Sequence, residues 1–402
     1  MRSGPPRSTR LVAPLAALAF VSLGLPDGLL GVAWPSMGAF FGVDLQALGG
    51  LLVATTTGYV ASSFSSGRLL RRVNLGTVLA ASCLLTACGL LGYAAVSRWP
   101  IVLALGVVLG IGAGAIDAAL NTYVATHHGV RTLNWLHACF GVGASSGPLL
   151  MTAVLRGGSP WQRGYVLVGI AQIALATCFA VTFRAWPSSD GLAASADRTG
   201  AATMRATLTL PAAWLGMAVF IAYAGVEASI GAWTYTLLTV GRHIGVVEAG
   251  LLASLFWGGI TAGRLLAALG GGVVSGHMLL RGGVWGVVLG VGLVWANLAP
   301  ALTAAGLVLA GLACGPIFPS LIAMTPRRVG RPHAANTVGF QIAASAFGLS
   351  VVPGLVGVAG ARIGVEAIAR LFLALAVLLA LVYQVLERTA PADTATADRL
   401  HI

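Results

Sequence analysis

The sequence predicts an all-α membrane protein in which twelve transmembrane helices form two pseudo-symmetric six-helix bundles. Three observations lead to this fold class. Of the 402 residues, 57% are hydrophobic and only 8% are charged. Apolar stretches recur along the whole chain, and the second half repeats motifs of the first. A soluble protein carries about 25% charged residues, so the composition excludes a soluble domain, and the long apolar stretches exclude a barrel of short alternating strands.

Twelve stretches approach the roughly 20 apolar residues that a helix needs to cross the hydrocarbon layer. The ninth is the weakest, because it is short and rich in glycine, and the first is interpreted as an uncleaved span because no signal-peptide cleavage pattern follows it. The predicted spans are 11–33, 46–67, 76–96, 101–125, 134–155, 163–183, 211–237, 248–270, 282–297, 301–325, 334–358 and 365–386.

The longest polar interruption divides the spans into two groups of six. The predicted organisation is therefore an N-terminal bundle over 1–183, a cytoplasmic linker over 184–210, a C-terminal bundle over 211–387 and a disordered cytoplasmic tail over 388–402.

The basic residues set the predicted orientation. All 23 are arginines, of which 17 fall on one side of the predicted topology and six on the other. Arginine accumulates in cytoplasmic loops, so both termini are predicted to be cytoplasmic and the protein to span the plasma membrane. A net charge of +12 would suggest nucleic acid as the partner of a soluble protein. Here the loop bias explains the charge, so the bilayer is the expected partner and nucleic acid is not.

Three pairs of motifs recur in the same order in both halves. Gly67-Arg68-Leu69-Leu70 is repeated at 263–266, the segment 110–117 matches 311–318, and Asp27 followed by Gly31 matches Glu227 followed by Gly231. Each match is weak alone in a chain with 55 glycines, but the three together indicate a duplicated six-helix unit. Parallel six-helix repeats place a substrate site between the halves, and the first helix of each three-helix unit lines the cavity.

Asp27, Asp117 and Glu227 lie inside apolar spans, where an acid costs about 3 kcal/mol on insertion scales. Such residues usually face a bundle interior or wet cavity and mark an ion path. Burial disfavours the charged form of a carboxylate, and a proton carrier needs a group that changes protonation as access alternates. The three acids are therefore predicted to couple proton movement. The alternatives are a permanent structural partner for each acid and, for Glu227, a latch between the halves.

Several further side chains are candidates for binding the substrate, together with Asp27 and Glu227. Asn121 shares a helix face with Asp117, His137 could bind substrate or relay protons, and the two tryptophans could stack on a sugar. Helix packing is the alternative role for each. The candidate residues are Asn121, Asn134, His137, Trp233, Trp257, Asn336 and Gln341.

The segment most indicative of a particular protein family is 116–124, with the sequence IDAALNTYV. With Asn134-x-x-His137 before the 143–148 run, and Gly225-Val226-Glu227 followed by Trp233, it resembles the fucose–proton symporter branch of the major facilitator superfamily from span one to span twelve. The resemblance implies that Asp27 and Asp117 serve proton coupling and sugar recognition.

The predicted function is therefore secondary active transport of a sugar or similar small polar solute, coupled to protons. The alternative is a proton antiporter that exports drugs or metabolites, because Gly143-x-x-x-Gly147-Pro148 partly matches an antiporter signature. The chain is predicted not to be an enzyme, since it carries no zinc-protease, phosphate-loop or nucleophile motif. No cofactor and no metal site are expected, and the protein is predicted to be a monomer.

Overall fold

A computed structural model describes residues 9–70, 72–127, 130–186, 202–269 and 275–389. Within these ranges the regular secondary structure is helical, and twelve segments are long and apolar enough to cross a membrane. The predicted fold class is confirmed. Residues 187–201 of the predicted linker and 390–402 of the predicted tail lie outside the described ranges.

Six long helices make up the first half of the chain, and α1 continues well past the predicted end of its span, to Phe41. Their bounds are α1 (Thr9–Phe41), α2 (Ala47–Leu70), α3 (Leu75–Ala95), α4 (Trp99–His127), α5 (Val130–Arg156) and α6 (Gln162–Val181).

Eight helices follow, of which the first is short and lies in the predicted linker. Two consecutive helices, α11 and α12, together form one span, and α8 runs on through a π-helical turn to Gly241. The bounds are α7 (Met204–Leu208), α8 (Pro211–Thr236), α9 (Val246–Leu269), α10 (Gly276–Ala296), α11 (Pro300–Cys314), α12 (Ile317–Val329), α13 (Arg331–Ile363) and α14 (Ala367–Arg388).

The chain divides into two compact units. Unit 1 comprises Met1–Asp197 with Gly245–Ser254, and unit 2 comprises Arg198–Ile244 with Leu255–Ile402. Within unit 1, α1 packs on α5 and α6, and α3 packs on α4 and α6. Within unit 2, α8 packs on α13 and α14, and α10 packs on α11 and α14. The helices of each unit thus pair in the same pattern.

Local sequence explains where several helices begin. The side chains of Asn74, Thr203 and Ser275 each accept a hydrogen bond from a first-turn amide, at the starts of α3, α7 and α10. Such N-caps satisfy amides that the helix itself leaves unpaired. Pro211 and Pro300 occupy the first turn of α8 and α11, where the missing amide proton costs nothing.

Glycines bring α2 and α4 into backbone contact in unit 1. A Cβ atom at Gly110 would overlap the carbonyl of Thr55, and one at Gly114 would overlap the carbonyl of Tyr59. Small residues of this kind let transmembrane helices approach closely. The contact sets Tyr59 beside the α4 segment that carries Asp117.

The corresponding helices of unit 2 make the same contact. Gly311 lies against the carbonyl of Phe256, and Gly315 lies against that of Ile260. All four residues follow their unit 1 counterparts by 201 positions, so the predicted duplication is present at the level of backbone packing.

This register corrects one of the three sequence matches. Gly67 and Gly263 are 196 positions apart, five short of the packing register. Gly67 has open space around it among the described residues, whereas Gly263 lies against the backbone of Leu312. The two Gly-Arg-Leu-Leu motifs are therefore not structurally equivalent, and this part of the predicted duplication is wrong. A four-residue motif recurs easily by chance in a chain rich in glycine and leucine.

Replacing Gly110 with alanine is expected to lower the melting temperature of the purified protein, since overpacking a close contact costs about 1–3 kcal/mol. Gly292→Ala on α10 is the matched control, because a Cβ atom there meets no described residue and alanine favours the helix. The measurement is thermal unfolding in detergent. A Gly110→Ala protein as stable as the Gly292→Ala protein would show that the α2–α4 contact is not tight.

The end of the predicted linker is docked onto unit 2. Asn336 on α13 donates from Nδ2 to the carbonyl of Ala202 at 2.7 Å and to the Thr207 hydroxyl at 3.2 Å. The amide of Ala202 in turn donates to the carbonyl of Pro332 at 3.0 Å. Helix α7 is thus held against the start of α13 by hydrogen bonds to its backbone and side chain.

Candidate functional site

Asp117 is the centre of a hydrogen-bonded network in unit 1. Its Oδ2 atom accepts a hydrogen bond from the Tyr59 hydroxyl at 2.6 Å, and its Oδ1 atom accepts one from Asn121 Nδ2 at 3.0 Å. Asn121 lies one turn along α4, as the four-residue spacing predicts, whereas Tyr59 comes from α2. Both carboxylate oxygens therefore have donors, which is the arrangement that stabilises a carboxylate away from water.

Asn121 has one unused acceptor beside this network. Its Oδ1 atom is buried and has no hydrogen-bond partner among the described residues. A buried polar atom without a partner is unfavourable, and a hydroxyl donor placed there would satisfy it. The network is therefore complete around Asp117 but open at Asn121.

Two more ionisable side chains act on the same network. Asp27 interacts electrostatically with Tyr59, and His137 interacts electrostatically with Asp117. His137 also packs edge-on against Phe20, with ring centroids 5.4 Å apart. We call Asp27, Tyr59, Asp117, Asn121 and His137 the N-terminal acidic cluster. Four of its five members were predicted as site residues from the sequence.

The placement of Asp27 follows from the packing of α1. Gly24 and Gly28 lie against the backbone of α5 at Phe140 and Ala144, so this face of α1 is closed. Asp27 is exposed, whereas its neighbours on both sides are buried. A charged group that is exposed in the middle of an apolar span is far more stable in contact with water than in contact with hydrocarbon. We therefore infer that the face of α1 that carries Asp27 is a wet face, in contact with water.

Glu227 has a basic partner in unit 2. Arg264 Nη2 lies 3.6 Å from Glu227 Oε1, and the two side chains are 25% and 12% exposed. The repeated Gly-Arg-Leu-Leu motif pairs Arg264 with Arg68, but the two arginines differ in their positions along the helices. Arg264 is five residues before the end of α9, whereas Arg68 is two residues before the end of α2, so Arg264 lies three residues further from the end of its helix.

Tyr223 lies one turn before Glu227 on α8 and is fully buried. Its hydroxyl donates to the carbonyl of Cys314 at 3.1 Å and interacts electrostatically with Glu227 and Arg264. We call Tyr223, Glu227 and Arg264 the C-terminal ion-pair cluster. Like Asp117, the acid of this cluster lies beside a tyrosine.

The position equivalent to Asp117 is aromatic in unit 2. Phe318 packs on Phe220 with ring centroids 5.2 Å apart and on Tyr223 at 6.4 Å. The two units thus share a packing pattern but differ in chemistry at this position, where unit 1 has a hydrogen-bonded carboxylate and unit 2 has an aromatic cluster.

Trp257 lies near the C-terminal ion-pair cluster. Its indole ring covers Gly231, one turn after Glu227 on α8, so closely that a Cβ atom at Gly231 would overlap it. Trp257 is half-buried and lies two turns before Arg264 on α9. Its ring is therefore fixed close to Glu227 and partly accessible.

Three other predicted binding residues use their polar groups for packing within unit 2. The indole N–H of Trp233, which is fully buried, donates to the carbonyl of Pro353 at 2.9 Å. Gln341 accepts a hydrogen bond from Thr325 at 2.9 Å, and Asn336 holds α7. Asn134 lies in the first turns of α5, but its side chain is outside the described part of the structure. A substrate-binding role for these four residues stays a prediction.

Sequence analysis missed Tyr59 and the pairing of Arg264. A lone tyrosine in a threonine- and serine-rich span next to Gly58 was the available signal for Tyr59. Its partner Asp117 is 58 residues away, and nothing local in the sequence links them. Among the described residues, no group of three histidine, cysteine, aspartate or glutamate side chains is arranged to hold a metal ion.

Two relatives match part of the chain. Bypass of stop codon protein 6 of Saccharomyces cerevisiae is 22% identical over 61% of this chain and 54% of its own length. Sodium-dependent glucose transporter 1 of Danio rerio is 23% identical over 63% of this chain and 48% of its own length. The chain spans about half the length of the curated relatives it matches.

Solved transporter structures share the fold at low sequence identity. A bacterial homolog of the human lysosomal transporter Spinster superposes with a TM-score of 0.74 at 16% identity, over 96% of this chain and 98% of that one. The nucleoside transporter NupG, as its D323A mutant, gives 0.74 at 14% identity over 92% and 98%. FucP gives 0.63 at 15% identity over 96% and 100%. The fucose-transporter branch that the sequence resembles is thus only one of several groups of transporters with a similar structure.

The family model of the Major Facilitator Superfamily matches residues 16–304, which is most of the chain. That match, the twelve apolar helices and the repeated packing within the two units agree. The chain belongs to the Major Facilitator Superfamily, and it is a membrane transporter rather than an enzyme.

Proposed function

We propose that the protein is a secondary active transporter that couples proton movement to transport of a sugar or similar polyhydroxylated solute. The observation that carries this proposal is the network of Asp117 with Tyr59 and Asn121 inside apolar helices. A glucose transporter and a nucleoside transporter are among the similar proteins, which is consistent with a solute that carries a sugar ring.

The proposed roles follow from the hydrogen bonds. Asp117 exchanges the proton, because it is the acid whose two oxygens are both held in position by donors. Tyr59 serves both protonation states, since its hydroxyl donates to a carboxylate and accepts from a carboxylic acid. The open Oδ1 atom of Asn121 accepts a hydroxyl of the solute, and Asp27 on its wet face supplies a second acceptor. His137 adds charge near Asp117 when it is protonated.

The C-terminal ion-pair cluster is proposed to respond to the solute. At 3.6 Å the Glu227–Arg264 contact is longer than a direct charge-assisted hydrogen bond of about 2.8 Å, so a solute hydroxyl can bond to either side chain while the two charges stay close together. The half-buried ring of Trp257 offers an apolar surface for the C–H face of a sugar. In the wild-type protein, sugar binding should therefore change the fluorescence of Trp257.

The second candidate function is proton antiport that exports an apolar drug or metabolite. The aromatic cluster of Phe318, Phe220 and Tyr223 at the position equivalent to Asp117 favours this alternative, because an apolar solute binds aromatic surface. The two functions differ in the direction in which a proton gradient drives the solute.

Transport in proteoliposomes tests both candidates. Purified protein is reconstituted, and uptake of a panel of labelled sugars, polyols and nucleosides is measured with and without an imposed pH gradient. Symport predicts accumulation in vesicles with an alkaline interior, and antiport predicts accumulation in vesicles with an acidic interior. Uptake that is identical in both cases would contradict proton coupling, and no uptake of any polyhydroxylated solute would contradict the substrate class.

Both termini are proposed to lie in the cytoplasm, the protein to reside in the plasma membrane and the functional form to be a monomer.

Reporter domains inserted after Arg98, between α3 and α4, and after Arg198, in the linker, are expected to lie on opposite sides of the membrane, the second in the cytoplasm. The measurement is reporter activity in intact cells. Signals from the same side would contradict the arginine-based topology.

A further inference from the structure

A basic groove lies between the first turns of α10 and the last turns of α14, and it contains no residue of the N-terminal acidic cluster or the C-terminal ion-pair cluster. It encloses a cavity of about 380 Å³. The residues come from one face of each helix, at four-residue spacing on α10. They are His277, Arg281 and Trp285 of α10, and Tyr383, Gln384, Glu387 and Arg388 of α14.

The groove carries an excess of positive charge. Glu387 is already committed to two partners, because it forms an ion pair with Arg328 and lies 2.9 Å from His277 Nδ1. Among the described residues, neither Arg281 nor Arg388 is within ion-pair distance of a carboxylate. Two exposed guanidinium groups therefore face the groove without an anion.

A buried hydroxyl at the groove also lacks a partner. The Tyr383 side chain is 2% exposed, and its hydroxyl has no hydrogen-bond partner in the described part of the chain. Tyr383 lines the cavity and interacts electrostatically with Glu387 and Arg281. Leaving such a donor unpaired is unfavourable, so the groove can receive an acceptor atom that the described residues do not supply.

The chemistry required is an anion with several acceptor oxygens, since guanidinium groups bind phosphate through paired hydrogen bonds. Trp285 identifies the source of the phosphate. Its ring is 45% exposed near the middle of the span Gly276–Ala296, two turns from His277, and an exposed apolar ring at that depth lies against acyl chains. A free phosphate ion would leave this apolar ring unused.

We propose that the groove binds the phosphate of an anionic phospholipid, with Arg281 and Arg388 holding its oxygens, Tyr383 donating a hydrogen bond and Trp285 packing against an acyl chain. Basic pockets between transmembrane helices bind such headgroups. The site belongs to unit 2 alone and does not depend on which solute is transported.

Native mass spectrometry of the full-length protein in detergent, titrated with phosphatidylglycerol and separately with phosphatidylcholine, tests the proposal. Each arginine near an anionic headgroup is worth about fivefold in affinity, so R281Q/R388Q is expected to bind phosphatidylglycerol about 25-fold more weakly. The matched control R362Q/R370Q removes two exposed arginines from the ends of α13 and α14 that lie outside the groove and is expected to bind like the wild-type protein.

Tyr383→Phe tests the proposed hydrogen bond separately from charge, because the substitution leaves the charge of the groove unchanged. The variant keeps the ring and loses only a hydroxyl that is unpaired without lipid, so its thermal stability in the absence of lipid should be unchanged, and its affinity for phosphatidylglycerol should fall about tenfold. Wild-type affinity in R281Q/R388Q, or an equal loss in R362Q/R370Q, would overturn the proposal. Displacement of phosphatidylglycerol by equimolar inorganic phosphate would also overturn it, in favour of a free-phosphate site.

Discussion

Replacing Asp117 with asparagine is expected to abolish solute accumulation driven by a pH gradient while preserving exchange of solute across the membrane. Asparagine has nearly the same shape and still accepts the hydrogen bond from Tyr59 through its carbonyl oxygen. Its amide nitrogen replaces the oxygen that accepts from Asn121 Nδ2, so the Asn121 amide must turn over and accept through Oδ1. Asn121 Nδ2 then donates to the oxygen of the solute hydroxyl, so the solute can still bind. The network is therefore retained, but no proton can be taken up or released at this position.

The measurement is uptake in proteoliposomes under an imposed gradient, with a solute found in the screen. For one proton per solute, a gradient of about one pH unit supports roughly tenfold accumulation, and the ratio is expected to fall to one in Asp117→Asn. Asp44→Asn is the matched control, because Asp44 is exposed between α1 and α2 and its loss removes the same charge from the same unit. Undiminished accumulation by Asp117→Asn would assign the coupling to Asp27 or Glu227.

Removing one partner of the Glu227–Arg264 pair is expected to cost more than removing both. Arg264→Gln leaves the carboxylate of Glu227, which is only 12% exposed, without its cation. Breaking a largely buried pair in this way costs about 3 kcal/mol. The double variant E227Q/R264Q leaves no buried charge, so it should recover most of the free energy of unfolding lost in Arg264→Gln.

A double-mutant cycle isolates the interaction between the two side chains. The free energy of unfolding is measured by titration with denaturing detergent for both single variants and the double variant. Arg242→Gln is the control. Arg242 is 5% exposed and pairs with Glu366 at 2.8 Å, but Glu366 is 50% exposed, so water can solvate the carboxylate that is left behind and the loss should be smaller than in Arg264→Gln. A coupling energy near zero for Glu227 and Arg264 would mean that Glu227 is free to serve transport instead of stability.

The sequence by itself determined the class of protein, the number of spans and the positions of the acids. These properties depend on short-range chemistry. The length of an apolar run decides whether a helix can span the membrane, and Asp27, Asp117 and Glu227 stand out because an acid in such a run is costly. The duplication was also readable, since the segment 110–117 and its repeat at 311–318 keep the spacing that the helix packing requires.

Only the tertiary structure decided which side chains meet. Tyr59 reaches Asp117 because Gly110 and Gly114 allow α2 and α4 to touch backbone to backbone, and a contact between residues 58 positions apart has no local signature. Arg264 and Arg68 occur in the same four-residue motif. However, α9 continues for five residues beyond Arg264, and at that position the guanidinium of Arg264 lies beside Glu227. Local apolar patterning determines which segments enter the membrane, whereas the pairing of polar groups inside it depends on helix register and contact distance, which are properties of the packed bundle.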